Sequence, residues 1–163
     1  MKTLFLVRHA KSDWSNHNFS DKERPINQRG LRDAPLMAQR LKLLNIPINE
    51  IISSPAVRAW STAKIFAEFL DYPLPKIKQE PLLYEADIKI FLSVINKLPQ
   101  SKDTVMIFGH NPTLTQMIDY LADDELSKLP TCGIAMIAFD LEEWKFVSRN
   151  TGELKMLDSP KKI

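Results

Sequence analysis

The chain has 163 residues, 44% of them hydrophobic, which suits one domain with a buried core and is too apolar for ordinary disorder. Its 22 basic and 20 acidic residues leave a formal net charge of +2, which gives no basic footprint for nucleic acid. A lone cysteine, Cys132, excludes an internal disulfide framework, and no apolar stretch approaches a membrane span.

Leu4-Phe5-Leu6-Val7 is a continuous apolar run, too short for a signal peptide, and predicts a buried first strand that ends in Arg8 and His9. These features together predict a cytoplasmic protein. Residues 11–24, with Ser12, Trp14, Asn16 and His17, form a polar loop, either functional or mobile. His17 has no partner motif and reads as an exposed side chain. A first helix is expected from the cap Asn27, with Leu31, Ala34, Ala38, Leu41 and Leu44 on its buried face; Pro35 should kink it or delay its start. Residues 50–53 read as a second strand. Ser54-Pro55 follows, an N-cap and a first-turn proline, opening a helix buried through Ala59, Ala63, Phe66 and Leu70. A third strand is expected at 76–78 and a third helix over 86–97, carrying Ile88, Phe91, Leu92 and Ile95. The strand 104–108 runs into Gly109-His110-Asn111-Pro112, where Asn111 can cap and Pro112 open a fourth helix with Leu114, Met117, Ile118 and Leu121 inside. Cys132, beside Gly133, reads as a packed thiol. Residues 134–139 and 144–149 read as an antiparallel pair joined by a turn at 140–143.

Strands alternating with helices predict an α/β fold. The expected architecture is a three-layer sandwich, 1–163 as one domain, with a largely parallel central sheet, helices on both faces and an antiparallel edge near the C-terminus. Parallel sheets carry their ligand site outside the strands' carboxyl ends. If the strands are neighbours, Arg8, His9, Arg58 and His110 share one volume. So many potential cations repel one another until an anion arrives, and arginine's planar fork suits phosphate. Nearby positive charge disfavours imidazolium, so His9 can keep a lone pair and attack phosphorus, provided an acceptor holds its other ring nitrogen. Ser12 and Asn16 are candidate donors to the phosphate from the loop; Trp14 either walls the site or packs the loop down.

Arg8-His9-Ala10-Lys11-Ser12, Ser53-Ser54-Pro55-Ala56-Val57-Arg58-Ala59 and Gly109-His110-Asn111-Pro112 resemble the motifs of the histidine phosphatase superfamily, the phosphoglycerate mutase-like proteins. Arg24-Pro25-Ile26-Asn27-Gln28-Arg29-Gly30 and Leu83-Tyr84-Glu85-Ala86 are similar to its small SixA-type branch. The resemblance implies His9 as a nucleophile that becomes phosphorylated. Arg8, Arg58 and His110 would form the rest of the phosphate pocket, with no metal and no cofactor. It also implies an acid after the second motif, Glu85, with Asp87 as its rival. Expelling imidazole needs less acid help than expelling an alkoxide, and the chain has no room for large lid insertions. Both points favour a phosphorylated substrate such as a phosphohistidine-bearing protein, or a small phosphorylated compound. The alternatives are a non-catalytic phospho-ligand or phosphoprotein binding module, and a small phosphomutase. The sequence leaves oligomeric state open, and it predicts no membrane or nucleic-acid partner.

Overall fold

The computed structural model describes residues 1–161. It is built on one six-stranded sheet of β1 (Lys2–Arg8), β2 (Glu50–Ser53), β3 (Lys78–Gln79), β4 (Thr104–Gly109), β5 (Ile134–Phe139) and β6 (Gly152–Asp158). The spatial order is β3-β2-β4-β1-β5-β6. The first four strands in this order run parallel, while β5 and β6 pair antiparallel at one edge. Four helices complete the α/β sandwich: α1 (Gln28–Lys42), α2 (Val57–Phe69), α3 (Ile88–Asn96) and α4 (Thr113–Ala122).

Alternation along the strands assigns the two cores. Phe5, Val7, Ile51, Met106 and Phe108 pack with Ala34, Met37, Ala38, Leu41 and Phe66 of α1 and α2. Leu4, Leu6, Ile52, Val105 and Ile107 pack with Phe91, Ile95, Leu114, Met117 and Ile118 of α3 and α4. Being covered on both faces explains why β1 and β4 read as continuous apolar runs. Cys132 is fully buried in the first of these cores, a packed thiol. Among the described residues, no helix is long and apolar enough to cross a membrane.

The structure corrects several sequence expectations. Residues 144–149 are not a strand. Trp144–Phe146 is a 3-10 turn around a fully buried Trp144, and the carbonyls of Trp144 and Val147 are both taken by the Asn96 amide, each at 2.9 Å. The partner of β5 is β6, further along the chain. The third strand is only Lys78–Gln79, because Leu74–Lys76 is wound into a 3-10 turn. Ser54 does not cap α2: Ala56 is its N-cap residue, and Ser54 Oγ accepts from Ala56 N at 3.2 Å. Helix α3 begins at Ile88, capped by Asp87, whose carboxylate accepts from Ile90 N at 2.8 Å.

Helix α1 starts at Asn27 as expected, and Asn27 Oδ1 accepts from Gly30 N at 2.9 Å. Its rotation differs, however. Ala34, Ala38 and Leu41 are buried together with Gly30 and Met37, but Leu31 is 57% exposed, and Leu44, beyond the helix end, 43%. Gly30 sets this rotation by close approach: a Cβ there would collide with Ile26 Cγ2 and the Lys11 carbonyl oxygen. Pro35 lies inside the helix without ending it; its missing N–H falls opposite the carbonyl of Leu31, on the exposed side, where water can serve it. Gly30→Ala should therefore lower unfolding stability by about 1–3 kcal/mol, as overpacking does. A urea midpoint equal to that of the parent would show that the Lys11 strand-end loop yields without cost.

Candidate active site

The register of the sheet brings the three motifs together. Arg8 pairs with Gly109 and Val7 with Phe108, while Ser53 pairs with Phe108 from the other side. The carboxyl ends of β1, β4 and β2 therefore lie side by side. A cavity of about 610 Å³ opens there, lined by Arg8, His9, Arg58 and His110 together with Ser12, Arg24, Tyr84 and Glu85. A larger cleft, about 920 Å³, includes Asn49, Glu50 and Lys102 at the opposite, amino-terminal edge of the sheet; no histidine, arginine, serine or cysteine lines it.

His9 is 7% exposed and its ring centroid lies 5.3 Å from that of His110. His9 Nδ1 is 2.8 Å from the Ala10 carbonyl oxygen, which can only accept. The proton therefore sits on Nδ1, and Nε2 carries the lone pair. Burial pushes the His9 pKa down to about 3, with His110, Arg58 and Arg8 adding smaller effects and the Ala10 bond opposing. Burial also lowers His110 to about 4, helped by Arg58 and Arg8. Desolvation, more than the neighbouring positive charge expected from the sequence, keeps both rings neutral.

His110 Nε2 lies 2.8 Å from Ser54 Oγ. Ser54 Oγ accepts from Ala56 N, and its hydroxyl hydrogen has no other acceptor among the described residues; it therefore goes to Nε2, which leaves the His110 proton on Nδ1. Four buried side-chain nitrogen or oxygen atoms among the described residues lack a hydrogen-bond partner: Arg8 Nε, Arg58 Nε, His110 Nδ1 and Glu50 Oε2. The first three belong to residues lining this cavity. Arg8 Nη1 donates to the Leu129 carbonyl at 3.1 Å, so the backbone anchors that guanidinium while its Nε edge stays unsatisfied.

The other expected site residues are placed unequally. Ser12 is buried, and its Oγ accepts from Arg24 Nη1 at 2.6 Å. Asn16 is exposed, outside the cavity lining, with Oδ1 accepting from Asn18 N at 2.9 Å. His17 is exposed in the same loop. Trp14 is 66% exposed; it lines the cavity and stacks on the Arg24 guanidinium at 3.4 Å. Glu85 is exposed at the cavity wall and holds a left-handed φ of 60°. Asp87 lines the wall too, but its carboxylate is engaged as the α3 cap.

Sequence reasoning missed Asp21, Thr62 and the roles of Arg24 and Tyr84. Thr62 ties β1 to α2, accepting from Ala10 N at 3.0 Å and donating to the Arg58 carbonyl at 2.7 Å. Asp21 bonds to Arg58, Arg24 and Tyr84. One signal was available: Ser20 and Glu23 form a capping box that fixes the turn carrying Asp21.

A chain with this site on this fold belongs to the histidine phosphatase superfamily (branch 1), whose family model matches residues 4–92. A protein of uncharacterised function from Mycobacterium tuberculosis is 30% identical over 142 residues, covering 80% of this chain and 85% of its own. The phosphohistidine phosphatase SixA of Escherichia coli is 24% identical over 139 residues, covering 84% and 85%. The fold matches that of a protein histidine phosphatase SixA complexed with tungstate, with a TM-score of 0.82 and 23% identity over 97% of each chain. It also matches a protein assigned as SixA from Agrobacterium tumefaciens, with a TM-score of 0.83 and 24% identity over 98% of each chain. Membership supports phosphatase activity on a phosphorylated substrate.

Because both imidazoles have depressed pKa values, their contribution to stability is whole above about pH 6.5, the unfolded value, and is lost as pH falls toward 3–4. The Cε1–H resonances of His9 and His110 should hold their neutral positions in NMR titration from about pH 8 to about pH 5.5. Midpoints near 6.5 would contradict the desolvated site.

Proposed function

We propose that the protein is a phosphatase working through a covalent phosphohistidine on His9, with the whole chain acting as one histidine phosphatase domain. One observation carries the reading. Three buried donors without partners, Arg8 Nε, Arg58 Nε and His110 Nδ1, belong to the same cavity as a neutral histidine whose free nitrogen is Nε2. Unsatisfied buried donors are costly, and a tetrahedral oxyanion would satisfy all three at once.

His9 Nε2 attacks phosphorus, and the bond from phosphorus to the leaving oxygen or nitrogen breaks with its electron pair going to the leaving group. Water then attacks the phosphohistidine, releasing inorganic phosphate and restoring His9. The two arginines and His110 hold the equatorial oxygens as charge redistributes, so the reading assigns charge neutralisation to them and needs no metal or other cofactor. Ser12, already accepting from Arg24, supports the loop beside the phosphate; Asn16 has no part in this reading.

The favoured substrate is phosphohistidine in a protein, with a small phosphorylated compound as the other candidate. Imidazole leaves with little proton help, and the acids at hand are an exposed Glu85 and a capping Asp87. Glu85 is the better placed acid because its carboxylate is not occupied as a helix cap. The relative named phosphohistidine phosphatase and the tungstate complex of a SixA support the same choice. A reducing, cytoplasmic setting accords with the single buried thiol of Cys132.

Rapid quenching with labelled substrate should trap acid-labile, base-stable phosphate on His9, and His9→Ala should abolish both the trap and turnover. Equal turnover by parent and variant across phosphodonors would end the mechanism. Arg58→Ala should lower kcat/KM by an amount worth about 2–4 kcal/mol, and treatment with EDTA should leave the parent rate unchanged. Glu85→Ala should slow phosphate esters more than phosphoramidate; equal losses would remove Glu85 from the acid role.

A further inference from the structure

Asp21 is where three of the cavity's side chains meet. Its Oδ1 accepts from Arg24 Nε at 3.2 Å and Nη2 at 3.0 Å. Its Oδ2 accepts from Arg58 Nη2 at 3.0 Å and from the Tyr84 hydroxyl at 2.6 Å. Its backbone carbonyl accepts from Arg58 Nη1 at 2.6 Å. The exposures are lopsided: the Asp21 side chain is 49% exposed, while those of Arg24 and Arg58 are 8% and 7%. The buried charges are the guanidiniums, and a carboxylate at the rim reaches in to hold them.

A guanidinium offers two parallel pairs of hydrogens, an end-on pair from Nη1 and Nη2 and a side-on pair from Nε and Nη2. Asp21 takes the end-on pair of Arg58. The Nε–H of the side-on pair is buried and has no partner among the described residues. We propose that Asp21 is a positioning residue for phosphoryl transfer: by clamping the end-on edge of Arg58 it turns the side-on edge toward the phosphoryl group. This rests on the phosphatase reading above.

The arrangement explains the rest of the hub. Tyr84, held by Asp21, meets the His110 ring edge-on at a centroid distance of 5.8 Å, so the same carboxylate braces the second oxyanion donor. Arg24, held from the other oxygen, carries Ser12 and Trp14. The turn bearing Asp21 is itself fixed, since Glu23 Oε1 accepts from Ser20 N at 3.2 Å and from Ser20 Oγ at 2.7 Å. The Tyr84 hydroxyl, followed by Arg24 and Arg58, holds the Asp21 carboxyl far below the usual carboxylate range, so the clamp is charged at neutral pH. The opposite role, an internal anion that competes with substrate for Arg58, would require Asp21 to engage the side-on edge, and it does not.

The test is a double-mutant cycle on Asp21→Asn and Arg58→Ala, read by phosphoramidate kinetics and by tungstate affinity in calorimetry. Asp21→Asn should lower kcat about 10–100-fold with KM little changed, and weaken tungstate about tenfold, as a displaced binding group does. Most of both effects should vanish when Arg58 is already alanine, because the clamp acts chiefly through that side chain. Losses that add in the double variant would mean a general structural role and would overturn the proposal. A lower KM or tighter tungstate would identify Asp21 as a competitor and overturn it equally. Asp21→Ser serves as the second variant if the amide perturbs folding. Absence of His9-dependent turnover in the parent would end the phosphatase reading, while the tungstate arm would still decide the role of Asp21.

Discussion

The site depends on one constraint, the parallel pairing of β1 with β4 and of β4 with β2 in a register that levels their carboxyl ends. Arg8 opposite Gly109, and Ser53 opposite Phe108, leave no freedom over where the following residues emerge. His9 and His110 then leave adjacent strands one step past the sheet, which is why their rings lie 5.3 Å apart. The side-chain period is two, so a slip of one residue in β1 would send Phe5 and Val7 to the core now occupied by Leu4 and Leu6. Packing the two cores and aligning the site are therefore the same requirement.

Around that frame the electrostatics divide into two kinds. The imidazoles are kept neutral mainly by desolvation, and their proton positions follow from the Ala10 carbonyl and the Ser54 hydroxyl. The arginines remain cations and are anchored on one edge each, Arg8 by the Leu129 carbonyl and Arg58 by Asp21. Burial and the neighbouring Arg58 lower the Arg8 pKa from its ordinary value, the mark of a cation held without a counter-anion. In both arginines the Nε hydrogen faces no partner among the described residues. A pocket with anchored, half-satisfied guanidiniums is preorganised for an anion, because little must move when one arrives.

The sequence was informative where chemistry sits at the junction of two hydrophobic patterns. Arg8-His9, Arg58 and Gly109-His110 stand out because each follows an apolar strand or opens a helix, and the two buried faces of the sheet make β1 and β4 unbroken runs. It misled where a local pattern was overruled by a distant contact. Leu31 has helical spacing, but the contact of Gly30 with Ile26 and Lys11 rotates α1 and turns Leu31 outward. Residues 144–149 have strand-like composition, but the Asn96 amide claims two carbonyls that a strand would need. Asp21 lies in a polar loop with no periodicity, and its partners at positions 24, 58 and 84 come from three segments.

By itself the sequence determined which residues stand at the ends of strands and the starts of helices, and so which chemistry the chain can offer: two arginines, two histidines and an anion to match. Those facts are local, set by hydrophobic period and by residue type. Only the tertiary structure decided the strand order that makes the junctions neighbours, the desolvation that keeps both imidazoles neutral, and the clamp that selects one edge of Arg58. These depend on contacts between segments far apart in the chain, where burial and hydrogen-bond geometry, rather than local pattern, fix the outcome.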